Sequence, residues 1–89
     1  MRVKAKESAS RAFGMHSSEI VIEISTVEGT AYAIIDRLSL ENGGVEIGYP
    51  VGAKNGKYLV ELPRETLQGS WRVWVDSSEL LEDRLEKIA

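Results

Sequence analysis

The single histidine, His16, stands in the run His16-Ser17-Ser18-Glu19, where side-chain types alone suggest reaction chemistry. A serine hydroxyl beside an imidazole, with a carboxylate to orient the ring, is the set that nucleophilic catalysis needs. Sequence neighbours seldom face one another in that geometry, and no nucleophile-elbow pattern surrounds these serines. The run therefore reads as a polar loop entering a strand. A small hydrolase is the least favoured function, and no catalytic residue is assigned.

Metal and cofactor chemistry finds less. One histidine and scattered acids give no zinc spacing, and an EF-hand loop is missing. The absence of cysteine excludes disulfides and thiolate ligands or nucleophiles. The glycines lack the strand–loop–helix context of a phosphate cradle and read as turn residues. No cofactor is expected.

Recognition chemistry is better supplied. Trp71-Arg72-Val73-Trp74-Val75-Asp76 alternates, so Trp71, Val73 and Val75 are expected to face the core. Trp74 then lies outside with Arg72, and tryptophan with arginine is a common interface pair. Tyr49, Tyr58, Leu81 and Leu85 complete the expected partner-binding set. Trp74 is covered either by the chain's own terminal helix through Leu80, Leu81 and Leu85 or by a partner, another protein or a second copy of the chain, hence a possible homodimer. Nucleic acid is the runner-up, with Arg2, Lys4, Lys6, Lys54, Lys57 and Arg64 as phosphate contacts and tyrosines as stacking groups. The net charge of −3 weighs against it.

These residues must be held by strands. Asn42-Gly43-Gly44 and Asn55-Gly56 are hairpin signals, each followed by alternation: Val45, Ile47, Tyr49, then Tyr58, Val60, Leu62. Residues 42–63 are read as one organising hairpin to which the remaining strands are added. Glu19 to Ser25 is a strand with Ile20, Ile22 and Ile24 on one face. Thr30 to Leu40 returns with Tyr32 and Ile34 in phase with Leu38 and Leu40, and Ile34-Ile35 suggests a bulge or burial on both faces. Phe13 and Met15 are expected to plug one end of the core. Pro63 to Gly69 has the proline-first, glycine-last signature of a single helical turn.

Asp76-Ser77-Ser78-Glu79 reads as a capping box opening a terminal helix over about 77–88, with Leu81, Leu85 and Ile88 at helical spacing. No internal repeat is evident. The 89 residues suit one small domain. The expected fold is mainly β: a strongly curved antiparallel sheet of five to six strands with one C-terminal helix. Its short turn before the last strand resembles an SH3-like barrel or half-barrel. No apolar run approaches the roughly 20 residues that span a bilayer, and no signal peptide is visible, so a cytoplasmic setting without membrane contact is expected. The resulting expectation is a non-enzymatic binding or assembly module acting through protein–protein contacts.

Overall fold

The computed structural model describes residues 1–9 and 15–81. Ten short strands occur in chain order: β1 (Arg2–Lys4), β2 (Lys6–Glu7), β3 (Glu19–Thr26), β4 (Gly29–Asp36), β5 (Leu40–Glu41), β6 (Gly44–Glu46), β7 (Gly52–Lys54), β8 (Lys57–Glu61), β9 (Arg72–Asp76) and β10 (Leu80–Leu81). Single 3₁₀ turns at Arg37–Ser39 and Ser77–Glu79 join β4 to β5 and β9 to β10.

Among the described residues the strand pairing is antiparallel and forms three small sheets, a central β10-β1-β6-β5 and the flanking β2-β3-β4 and β7-β8-β9, with an isolated antiparallel bridge between Ala33 and Thr66. Both Asn-Gly signals form tight two-residue hairpins. Asn42 and Gly43 have φ of 51° and 77°, and Asn55 and Gly56 have 53° and 77°. Those values suit the strand twist and need residues that accept the left-handed region. The two hairpins lie in different sheets, β5–β6 in one and β7–β8 in another, so residues 42–63 do not form one organising hairpin.

Ile20, Ile22 and Ile24 are fully buried. Their partners across the ladder are Ile35, Ala33 and Ala31, all buried, so β4 presents its alanines inward and leaves Tyr32 and Ile34 half-buried on the outer face. The phase that Tyr32 and Ile34 share in sequence with Leu38 and Leu40 is thus not the core face, and Leu38 is exposed. Its eight pairs with β3 run without a break, so Ile34-Ile35 needs no bulge. Ala33 and Ala31 opposite Ile22 and Ile24 keep the core layer thin at that end, while Ile20 meets Ile35 at the other. Val3, Val45, Val60, Leu62 and Val75 complete one continuous core.

The barrel expectation is overturned: none of the three sheets closes or curls into the others. Ala5 separates β1 from β2, and a gap containing Pro50 separates β6 from β7, so no strand bends continuously from sheet to sheet. The terminal helix is overturned at its start. Asp76 caps Ser78 N at 3.0 Å as expected, but it caps a single 3₁₀ turn. Leu80 and Leu81 then pair as strand with Val3 and Arg2, because Leu80 finds core there. Leu85 and Ile88 lie outside the described residues, as does Phe13; Met15 is half-buried. Pro63–Gly69 is also not helical. Gly69 N donates to Thr66 O at 2.9 Å in a β-turn, with Gly69 at φ 93°.

A repeat not evident in the sequence organises the whole. Exchanging β1–β5 with β6–β10 maps the pairing onto itself. Val3 pairs with Val45 and Leu80, and Val45 pairs with Val3 and Leu40. Ser8 N donates to Val21 O as Val51 N does to Leu59 O, both at 2.8 Å. Ala5 N to Gly43 O (3.0 Å) matches Ile47 N to Met1 O (2.9 Å). Asp36 caps Leu38 N at 2.9 Å as Asp76 caps Ser78 N at 3.0 Å. β1 lies between two strands of the second half and β6 between two of the first, so the halves are interleaved.

Candidate functional site

The duplication gives the molecule two related surface grooves that differ in chemistry. One is lined by Lys4, Lys6, Glu23, Glu79 and Leu81, a mixture of both charges. Lys6 Nζ lies 3.8 Å from Glu23 Oε1, so the basic strand expected to make phosphate contacts meets acids at this face.

The other groove is more apolar, and its rim carries both charges, Arg2 beside Glu41, Glu46 and Glu61. Ile47, Tyr49, Leu62 and Pro63 line one end beside Glu46 and Glu61. Leu38, Ser39 and Val45 line the adjoining end, which shares Glu46 and Pro63. Leu38 and Tyr49 are 88% and 84% exposed, the two most exposed large apolar side chains among the described residues. Each is placed by a stiff local device. The Asp36-capped 3₁₀ turn presents Leu38, whose counterpart in the other half is Ser78. Tyr49 precedes Pro50, whose ring restricts the backbone of the residue before it. Nothing in the sequence pattern singles out Leu38, because its alternation with Leu40 suggests a buried strand.

The expected partner-binding residues are dispersed. Tyr49 lies on this groove. Trp74 does not stand free: it pairs with Leu59 on the outer face of β8–β9 and is half-buried. Its ring tip would sit 3.6 Å from a Cβ at Gly52, so the tryptophan is seated where a glycine leaves the next strand bare. Trp71 is the exposed tryptophan, at 52%, because β9 begins one residue later and Trp71 escapes its alternation. Leu62 N donates to Trp71 O at 2.8 Å, tying Trp71 to the chain segment that lines the apolar groove. Arg72 Nε is held by Glu61 Oε2 at 3.1 Å across the β8–β9 ladder. Tyr58 turns inward and packs on the core. Leu81 belongs to the charged groove, and Leu85 lies outside the described residues.

The His16 run is a turn. Ser18 N donates to His16 Nδ1 at 3.1 Å, and Ser18 Oγ lies 2.9 Å from the same nitrogen. The Glu19 carboxylate accepts from His16 N at 2.9 Å and from Arg64 Nη2 at 3.1 Å. The His16 amide, then Arg64, hold the Glu19 carboxyl below its ordinary pKa. Among the described residues no three His, Asp or Glu side chains converge as a metal site would require, and no helix is long and apolar enough to cross a membrane. Searches against family models, curated proteins and solved structures give no match to this chain.

Proposed function

We propose that the chain is a non-enzymatic binding or assembly module that works through protein–protein contacts, with the Leu38–Pro63–Tyr49 groove as its working face. The supporting observation is the concentration there of the two most exposed large apolar side chains, with Pro63 between them. Scattered single apolar residues are ordinary on a surface; a contiguous patch with a polar rim is the usual mark of an interaction site. Glu46 is paired with the N-terminal amine at 3.4 Å and Glu61 with Arg72 at 3.1 Å, so the apolar side chains rather than the rim charges select the partner, which is a segment with apolar anchors. Tyr49 suits such contact, offering a large rigid area with few rotamers to freeze. The proposed setting is cytoplasmic, compatible with a chain that has no thiol to protect.

Selection of displayed random peptides on the full-length chain tests the reading. Enriched peptides should carry apolar anchors, shift the amide resonances around positions 38, 49 and 63, and lose binding to a Leu38→Asp/Tyr49→Asp variant. Enriched peptides that bind this variant unchanged, or no enrichment at all, would sink the assignment.

A further inference from the structure

We infer that the two halves of this chain are exchangeable between molecules, so that a second copy is a partner: residues 1–41 of one chain complete the fold with residues 44–81 of another. The interleaving carries the inference. Both neighbours of β1 come from the second half and both neighbours of β6 from the first, so each half is finished by strands it does not contain. The core is likewise shared, with Val3, Ile20, Ile22 and Ile35 from one half packed in one cluster with Val45, Val60, Leu62 and Val75 from the other. The backbone bonds across the boundary, such as Val27 N to Trp74 O and Leu67 N to Tyr32 O, are equally available to a second molecule.

The covalent connection between the halves is the two-residue turn Asn42-Gly43, and it contributes little besides proximity. A closed monomer and a reciprocally exchanged dimer therefore share every strand pair and differ at this turn, which is the condition under which domain swapping is cheap. A linker this short gives an effective local concentration on the order of millimolar or more, so the closed monomer dominates at micromolar concentration. Two chains are the smallest closed set, because each molecule offers one copy of each half, and the dimer is the exchanged form expected at the lowest concentration. The Leu38–Pro63–Tyr49 groove is not used. In the dimer it is rebuilt with Leu38 from one chain and Tyr49 and Pro63 from the other, so the peptide-binding test and this one fail independently.

Deleting Asn42 and Gly43 from the full-length chain tests the inference. Glu41 and Gly44 are ladder partners on opposite strands, and joining them directly leaves no residues to reverse the chain. β5 must then find β6 of another molecule. Sedimentation should show twice the monomer mass, with the far-ultraviolet dichroism of the intact protein and a thermal midpoint that rises with concentration. A folded monomer, or open-ended oligomers, would overturn the proposal. If the deletion chain fails to fold, complementation decides. Full-length Ile22→Asp and Val60→Asp each carry a charge into the core of one half, and each alone should be unfolded. Mixed from denaturant at high concentration, they should recover about half the cooperative signal of the intact protein, since one intact half is available from each. No recovery on mixing overturns the inference.

Discussion

Asp76 shows how far one side chain can be read, and where that reading stops. The sequence marks it as a cap, and its carboxylate does accept from Ser78 N at 3.0 Å and Ser78 Oγ at 2.8 Å. The conformation beyond a cap is decided by long-range packing, so the pattern predicts a helix where a 3₁₀ turn and a strand form. Asp36 makes the same contact and carries no signal, because no helical pattern comes after it. The hydrogen bonds from Ser78 hold the Asp76 carboxyl below its ordinary 3.8, and the His16 amide and Arg64 hold Glu19 below 4.5. Both groups bind a proton less readily folded than unfolded, so their stabilisation is present above those values and is lost as pH falls through the folded pKa. Asp76→Ala should therefore lower the thermal midpoint at about pH 6, and the gap from the parent should narrow as pH falls below the ordinary 3.8. Glu19→Gln should behave likewise. Melting curves recorded across that range check it, and a gap that stays constant with pH would contradict the assigned cause.

Hairpins are the elements that local sequence specifies best, because two residues with positive φ demand asparagine and glycine whatever surrounds them. Strand phase is less local. In β4 the large side chains Tyr32 and Ile34 dominate the pattern, yet Ala31 and Ala33 take the inward positions because Ile24 and Ile22 already fill that layer. Two glycines distinguish these kinds of constraint. Gly56 has φ 77° and open space around a would-be Cβ, so Gly56→Ala is strained by its backbone alone, by about 1–2 kcal/mol. A Cβ at Gly44 would meet Leu81 Cδ1 at 2.8 Å and the Val3 carbonyl at 3.0 Å, so Gly44→Ala is destabilised by crowding, by about 1–3 kcal/mol. Asparagine separates them: Gly56→Asn should lie close to the parent, whereas Gly44→Asn should be worse than Gly44→Ala. Urea unfolding of the four variants reads this directly, and equal ranking at the two sites would refute the distinction.

At the scale of the molecule, the duplication is written in geometry that the sequence scarcely preserves. Ile20-Val21-Ile22-Glu23-Ile24 and Tyr58-Leu59-Val60-Glu61-Leu62 share only their glutamate and their apolar alternation. The loops after these strands differ in length, a two-residue turn at Val27-Glu28 against the longer passage from Leu62 to Trp71. A pattern of alternate apolar residues is common to most half-buried strands, so it cannot by itself announce a repeat. Differences between the halves, Lys6 against Gly48 and Ser25 against Pro63, make one groove more polar and the other more apolar. Interleaving has an energetic consequence that separate halves would not have. Ile22→Ala and Leu62→Ala lie in different halves but in one core, and each should cost about 2–5 kcal/mol. Because β1 and β6 each depend on the opposite half, neither half can open alone without breaking the central sheet. Native-state hydrogen exchange should therefore show the slowest amides of β3–β4 and of β8–β9 losing the same protection in either variant. Loss confined to the half that carries the substitution would mean that the two halves unfold separately, and that the shared sheet does not couple them.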